Sequence, residues 1–209
     1  MEKPCIGMKL LNKEIPDEHF DRFTARIVRS LDQFQQVTAI RAATFMAEQD
    51  CPFDEEYDGN DLSATHLIGY DGGRPIATLR LRWFAGFAKL ERVCVLEPFR
   101  GTPIVKIMLA TCFELAARKG YKLMIGQIQS RLVPLWSHVF QFEQRSDRPP
   151  LSFSNYEYVE IDIPLPEHPR AIDAYADPYE IIRPEGTWDQ AGVLERDKLA
   201  AEKISDKAA

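Results

Sequence analysis

Carboxylates and arginines recur in the first half of the chain at spacings that could build one charged site. The set comprises Arg41 with Phe45, then Glu56, Asp58 and Asp61, then Arg80 and Arg82, and finally Glu91 with Arg92. Like charges raise one another's pKa, so these carboxylates can share a pocket only if the arginines accompany them. A buried carboxylate–guanidinium network of this kind would fix the floor of a cleft and present an anionic edge to an amine substrate.

Residues 88–109, AKLERVCVLEPFRGTPIVKIML, predict a strand, a tight turn and the first turns of a helix. The residues from Phe87 to Leu96 alternate between two faces, which places Glu91 on one face with Val93 and Val95. Predicted strands and helices lie on both sides of this strand along the chain, so we expect it at the centre of the fold.

The turn after this strand is Arg100-Gly101-Thr102. Thr102 suits the N-cap of the next helix and Pro103 its first helical position. The helix ends near Gly120, which suits a helix C-cap. A strand that enters a helix through so short a turn leaves the first N–H groups of the helix open, so the sequence predicts an anion site there.

Hydrophobic periodicity and turn residues divide the rest of the chain into strands and helices. Strands are predicted at 24–29, 64–70, 75–83, 87–96 and 122–128, with a terminal antiparallel pair at 140–143 and 156–165. Helices are predicted at 31–49, 103–119 and 132–139. Strands before, between and after helices, with hairpins at both ends, give an α/β (α+β) fold in which helices cover a mixed sheet.

Composition divides the chain into three parts. Residues 1–23 show little periodicity and are expected to form a loosely held N-terminal arm. Residues 24–165 carry the sheet. Residues 166–209 are rich in proline and exposed aromatic residues, and form a C-terminal extension that wraps the core, mediates self-association or is a surface tail. A weak, charged helix is predicted over 193–209.

Charge and composition exclude several classes of function. The net charge of −6 argues against a nucleic-acid-binding protein. No apolar run approaches the length of a membrane span, and the N-terminus lacks the order of a secretory signal. Four cysteines without C-x-x-C spacing predict reduced thiols in the cytoplasm. His66 with Asp58 and Asp61 matches no strong ligand motif, so no metal is expected.

The stretch VCVLEPFRGTPIVKIML resembles the central strand, loop and helix of the GNAT N-acyltransferase superfamily, and the resemblance extends over residues 24–165. The family's loop has Gln or Arg, two residues, Gly, one residue, then Gly or Ala. Arg100 fits the first position, whereas Pro103 and Val105 stand where the glycines belong. The resemblance implies a GNAT-like, mostly antiparallel sheet and a thioester donor, either acyl-CoA or the acyl-phosphopantetheine of acyl carrier protein. The implied donor-binding residues are Val93, Cys94, Val95, Arg100, Gly101, Thr102, Ile104, Val105 and Lys106.

The charged set resembles the acyl-homoserine-lactone (autoinducer) synthases, a GNAT-like family that takes its acyl group from acyl carrier protein. Both spacings of that family are present, in the Arg41/Phe45 pair and in the Glu56/Asp58/Asp61 group. The family's tryptophan between these groups is missing, and Cys94 stands where an arginine is expected. Long-chain N-acyl amino acid synthases and ordinary small GNAT acetyltransferases fit as well. The residues implied to bind the substrate are Arg41, Phe45, Glu56, Asp58, Asp61, Arg80, Arg82 and Trp136.

The mechanism that the resemblance implies is direct acyl transfer to the amine of a small molecule such as an amino acid. An attacking amine must lose a proton, so Glu91 is the candidate general base, acting directly or through a water. Its alternative role is a structural ion pair with Arg80 or Arg82. Trp136 stands where the family places a tyrosine that protonates the leaving thiolate, and an indole is too weak an acid for that role.

The resemblance leaves two classes of function open. The first is an N-acyltransferase with a small-molecule amine as acceptor, acyl carrier protein as an alternative protein partner and a homodimer as a compatible assembly. The second is a catalytically inactive GNAT-fold binding protein, in which Pro103, Val105 and Trp136 record lost chemistry.

Overall fold

Eight strands form one mixed sheet in the computed structural model, which describes residues 5–195. Their order is β1-β2-β3-β4-β5-β8-β6, with β7 paired to β8 outside this path. Within the described residues, only β4 and β5 pair in parallel. The strands are β1 (Phe23–Ile27), β2 (Thr65–Asp71), β3 (Arg74–Phe84), β4 (Phe87–Val95), β5 (Leu123–Gln129), β6 (Glu143–Gln144), β7 (Leu151–Phe153) and β8 (Tyr156–Pro164). The predicted mixed, mostly antiparallel sheet is confirmed.

Helices cover both faces of this sheet. They are α1 (Cys5–Met8), α2 (His19–Arg22), α3 (Leu31–Arg41) with a π-helical continuation (Ala42–Ala47), α4 (Phe53–Glu56), α5 (Ile104–Arg118), α6 (Val133–Ser137) and α7 (Pro178–Ile182). Helix α5 is buried along most of its length in the main core. Helix α3 builds a smaller core on the other face, where Val37 and Ile40 pack with Ile68 and Cys94. Because α5 covers one face and α3 the other, the acids and arginines singled out in the sequence lie on the α3 face.

The predicted strict alternation of the central strand is wrong, because β4 contains a bulge. Arg80 of β3 faces Glu91, but Thr78 faces Cys94, so three residues of β4 occupy the length of two residues of β3. Arg92 takes up the difference with a left-handed φ of 52°. Glu91 therefore shares its face with Cys94, and not with Val93 and Val95, which pack in the main core with α5.

The start of α5 also differs from its prediction. Pro103 is the N-cap, and the Thr102 hydroxyl donates to the Phe99 carbonyl instead of capping the helix. A 3₁₀ turn (Glu97–Phe99), which was not predicted, lies between the end of β4 and the Arg100-Gly101 turn. The helix end is as predicted, because Gly120 follows Arg118 and Lys119 with a left-handed φ of 82°.

Both ends of the described chain pack on the sheet. Leu10, Leu11 and Ile15 are buried in the main core, so the expectation of a loosely held arm is wrong for these residues. Trp188 of the C-terminal extension packs on the same core, and His168 bonds to Glu114 of α5. Of the helix predicted at 193–209, Val193–Glu195 form one 3₁₀ turn and the rest lies outside the described residues.

Gly69 of β2 lies where α5 crosses the sheet, and a side chain there would disturb this contact. A Cβ at Gly69 would come within 2.6 Å of Met108 Sδ and 2.8 Å of Ile104, both of which are buried. We expect Gly69→Ala to lower the free energy of unfolding by about 1–3 kcal/mol through overpacking. The measurement is urea denaturation followed by circular dichroism.

Gly126→Ala of β5 is the matched control. A Cβ at Gly126 meets its nearest neighbour at 3.5 Å, an ordinary van der Waals distance. We expect this variant to unfold within about 0.5 kcal/mol of the original protein. Equal stabilities of the two variants would show that the contact of α5 with β2 tolerates an added methyl group.

Candidate active site

Arg41 is one of two buried arginines in the charged set. It is the last residue of α3, directly before the π-helical turn, and its side chain is completely buried. Its Nε donates to Glu56 Oε1, its Nη1 donates to Asp61 Oδ1 at 2.6 Å, and its Nη2 donates to the Glu56 carbonyl at 2.8 Å. A guanidinium has a fixed fork of donors, so three bonds of this kind fix the loop from 56 to 61 against α3.

Arg80 of β3 is the second buried arginine, with 1% of its side chain exposed. Its Nε and Nη2 donate to Glu91 Oε2 at 2.8 and 2.6 Å. The same guanidinium donates to both Asp58 oxygens, at 2.8 and 2.6 Å, and to Asp61 Oδ1 at 2.8 Å. Asp61 Oδ1 thus joins Arg41 to Arg80, and the structure brings together all the acids that the sequence singled out.

The pKa values of these acids follow their ion pairs and their burial. Burial alone would raise the pKa of Asp58 and of Asp61, but the hydrogen bonds from Arg80 and Arg41 outweigh it and both values are lowered. For Glu91 as well, burial is outweighed by the hydrogen bond from Lys89 and the charge of Arg80, so its pKa is lowered. Glu56 differs, because its burial is the dominant effect and its pKa is raised.

The side of this network that faces solvent carries mainly cations. Lys89 Nζ lies 2.7 Å from Glu91 Oε1, Arg82 Nη1 lies 3.7 Å from the same oxygen, and Arg92 Nε lies 3.1 Å from Glu56 Oε2. About a quarter of each of these three side chains is exposed, and so is about a quarter of Asp58, compared with 8% of Glu91. The exposed edge therefore carries three cations and one carboxylate, and the predicted anionic edge is wrong, because each of the four carboxylates is already paired with an arginine.

The pairing between β4 and β5 ends beside this network and leaves a gap in the sheet ladder. The parallel ladder joins Ala88 to Met124, Lys89 to Ile125 and Leu90 to Gly126, and no pair of described residues continues it. Beyond Leu90, residues 91–95 of β4 remain paired with β3, while residues 127–129 of β5 pair only with β8. The bulge at Arg92 lies where the two strands part, so an extended ligand could reach the free edge of β4.

Helix α5 begins at the far end of this free edge. Its first amides belong to Ile104, Val105 and Lys106, and none of them donates to another described residue. Gly101 precedes them with φ of 84°, and the space beside its α-carbon is open. The Arg100 side chain is partly engaged, because its Nε donates to the Val95 carbonyl and its Nη2 pairs with Glu48.

The aromatic residues of the prediction divide between the two faces. Phe45 lies on the π-helical turn, and the Arg92 guanidinium stands 5.9 Å from its ring centroid, so Phe45 belongs to the charged network. Trp136 of α6 packs against the main core and meets Phe140 edge-on at 5.9 Å. It therefore lies with α5 and not with the acids. His138 is exposed at the end of α6 and bonds to the Pro134 carbonyl.

Sequence reasoning missed three residues that line the gap or the network. Lys89 was predicted only as a member of the central strand, although a charged residue two positions before Glu91 is a signal. Gln129 of β5 and Tyr158 of β8 hydrogen-bond each other at 3.1 Å, and Gln129 also reaches Gln49 at 3.2 Å beyond the π-helical turn. Nothing in their local sequence distinguishes these two residues from ordinary strand positions.

Two further features bear on the class of site. Among residues 5–195, no group of His, Cys, Asp and Glu is placed to hold a metal ion. None of the helices in the same range is long and apolar enough to cross a bilayer.

Comparisons with solved structures place this geometry in a known fold. FeeM, an N-acyl amino acid synthase from uncultured soil microbes, superposes with a TM-score of 0.59 over 70% of this chain and 92% of its own, at 14% identity. The AHL synthase LasI superposes with a TM-score of 0.57 over 69% of this chain and 90% of its own, at 10% identity. At these identities the likeness concerns the fold.

Sequence comparison identifies the family. The uncharacterized N-acetyltransferase YjcF of Bacillus subtilis (strain 168) is 31% identical over 112 residues, which are 54% of this chain and 80% of the relative. The model of the acetyltransferase (GNAT) family matches residues 34–133, which include the charged network, the β4 bulge and the whole of α5. The chain therefore belongs to the GNAT acetyltransferase family and is an acyltransferase of that fold.

Proposed function

We propose that the protein transfers an acyl group from a thioester, acyl-CoA or acyl-phosphopantetheine, to the amine of a small molecule such as an amino acid. The observation that carries this proposal is the gap between β4 and β5, which leads from the charged network to the open amides of α5. An extended thioester arm has the shape of this gap and an anionic end that suits a helix N-terminus.

The donor arm would lie along the free edge of β4. Residues Val93 to Val95 pair with no residue of β5, so their backbone groups, other than the Val95 carbonyl that accepts from Arg100, can bond to the amides of a pantetheine arm. The phosphates would then reach the amides of Val105 and Lys106, with the Lys106 side chain as an added cation, whereas the amide of Ile104 is buried and out of reach. Pro103 contributes no N–H, so this site has fewer donors than the family's glycine loop provides.

The reaction joins the acceptor nitrogen to the thioester carbonyl carbon. Attack forms a tetrahedral oxyanion, which a backbone N–H near the bulge would stabilise, and the carbon–sulfur bond then breaks. Thiols have a pKa near 8.5, so the sulfur can leave as a thiolate near neutral pH without the tyrosine that Trp136 replaces. The proton lost by the amine goes to Glu91, directly or through a water.

The lowered pKa of Glu91 makes it a weak base, and its surroundings offset this weakness. Arg80 and Lys89 keep Glu91 ionised, so it is always ready to accept a proton. The neighbouring cations also disfavour the protonated form of an amine bound beside them, which lowers the pKa of the acceptor. A larger share of the bound acceptor is then the neutral amine, which can attack the thioester.

An acyl carrier protein donor, as in autoinducer synthases, is the second candidate. The Arg41/Phe45 and Glu56/Asp58/Asp61 spacings favour it, and they now correspond to a closed ion-pair network around Arg41 and Arg80. The two candidates differ only in what carries the phosphopantetheine, so one donor panel tests both.

Glu91→Gln tests the assignment of the base. The amide can still accept a bond from Arg80 but cannot accept the amine proton, so we expect kcat to fall about 100-fold or more. Donor binding should be unchanged, because the donor contacts the edge of β4 and the start of α5. Thiol release measures turnover, and a thermal shift with the donor measures binding.

Glu143→Gln, on the short edge strand β6, is the control and should leave turnover intact. If Glu91→Gln turned over acceptor at the original rate, Glu91 would be only a structural partner of Arg80.

A donor panel tests whether the gap and the helix start act together. We expect acetyl-CoA, palmitoyl-CoA or acyl carrier protein with an acylated arm to raise the melting temperature, since a ligand that binds only the folded state stabilises it. S-acetylpantetheine, which lacks phosphates, should stabilise the protein less than acetyl-CoA. Calorimetry would give the affinities.

The same panel can contradict the proposal. No stabilisation by any of these donors would favour a non-catalytic binding protein. Equal affinity for acetyl-CoA and S-acetylpantetheine would instead remove the start of α5 as the phosphate site.

A further inference from the structure

The cations around Glu91 point to the chemistry of the acceptor. We infer that the acceptor amine carries an anionic group, a carboxylate or a phosphate, and that Arg82 binds this group together with Lys89. The inference rests on the proposed function, because it assigns a substrate class to the same site.

Arg82 has donors to spare. Its guanidinium makes no hydrogen bond to another residue that the structure describes, and its nearest carboxylate oxygen, Glu91 Oε1, is 3.7 Å away. It lies 4.9 Å from the centroid of the Phe84 ring, which holds the planar group in place. A quarter of the side chain is exposed, so an incoming anion can reach the N–H groups. Arg41 and Arg80, in contrast, use all three of their nitrogens within the network.

The position of Lys89 strengthens this assignment. Arg82 of β3 and Lys89 of β4 are direct partners in the antiparallel ladder. Like charges that face each other across two strands destabilise a sheet, and Glu91 offers a single carboxylate, already bound by Arg80, to separate them. A second anion between Arg82 and Lys89 would relieve this repulsion.

The total charge of the network agrees. Five cations, Arg41, Arg80, Arg82, Lys89 and Arg92, face four carboxylates, Glu56, Asp58, Asp61 and Glu91. The two buried arginines are saturated, so the net excess of one positive charge lies at the exposed edge, where Arg82, Lys89 and Arg92 outnumber Asp58. An amine without an anionic group would meet this edge as an ammonium ion and be repelled.

The donor's phosphates are too far away to be the anion in question. Lys89 and Val95 face residues of β3 that are five positions apart, which corresponds to about 17 Å at roughly 3.3 Å per residue. The open amides of α5 lie beyond Val95. The chain therefore has one cationic site at each end of the gap, and the site around Arg82 is free for the acceptor.

Matched pairs of amines test the inference. One pair is an amino acid and its amide, for example phenylalanine and phenylalaninamide, and the other is phosphoethanolamine and ethanolamine. Calorimetry on the full chain, with and without CoA, measures binding independently of turnover. We expect the anionic member of at least one pair to bind about tenfold tighter than its neutral partner, as a charge-assisted contact predicts. The pair that shows this preference distinguishes a carboxylate from a phosphate.

Arg82→Gln should remove the preference by weakening only the anionic member, while the affinity for acetyl-CoA stays unchanged. Arg26→Gln is the control, since Arg26 is an exposed arginine on the edge strand β1, which β2 separates from β3. A neutral amine that binds as well as its anionic partner in both pairs would overturn the inference, as would a preference that survives in Arg82→Gln. If neutral amines were acylated as well as anionic ones, the proposed acyl transfer would stand and the inference about the acceptor would fail. If no donor bound, the proposed function would fail, while the comparison of anionic with neutral amines would remain valid.

Discussion

Two buried guanidinium groups, on the α3 face of the sheet, hold the candidate site together. Taking a charged group out of water costs several kcal/mol unless partners replace the lost hydration, so Arg41 and Arg80 require the four carboxylates around them. Because Asp61 accepts from both arginines, the end of α3, the loop after α4 and strand β3 are fixed to one another. Removing Arg41 or Arg80 would leave carboxylates without their guanidinium partner, and the effect would reach all three elements.

This network also determines the shape of β4. Arg80 holds Glu91 on the α3 face, whereas Val93 and Val95 must enter the main core beneath α5. A regular strand cannot meet both demands across this interval, and the bulge at Arg92 resolves the conflict. The left-handed φ of Arg92 is unfavourable for a residue with a side chain, and its ion pairs with Glu56 and Asp58 offset that cost. The gap between β4 and β5 begins at the bulge, so the charged network and the proposed donor site have a common origin.

The sequence predicted the elements well and the local departures from regularity poorly. The strands in their order along the chain, the mixed sheet and the acid–arginine set could be found, because hydrophobic alternation and charge spacing are local properties of the chain. The bulge could not be found, since its cause is a contact between Arg80 and Glu91, eleven residues apart. The N-cap of α5 was misplaced because Thr102 had a nearer acceptor in the 3₁₀ turn at Phe99. The loosely held arm was wrong because Leu10, Leu11 and Ile15 have no helical or strand period, yet fill space beside α5.

The sign of the charge at the cleft was the most instructive error. Counting acids in the sequence suggests an anionic edge, but a carboxylate that is fully paired contributes little outward field. What an approaching molecule meets is the set of groups that solvent reaches, and here the cations Arg82, Lys89 and Arg92 outnumber the one comparably exposed carboxylate, Asp58. An electropositive cleft suits acyl transfer to an amine for a physical reason: it favours the neutral, nucleophilic form of the amine and so reduces the work left to a weakly basic carboxylate. Charges that a fold needs for its own cohesion can in this way set the conditions for chemistry at its surface.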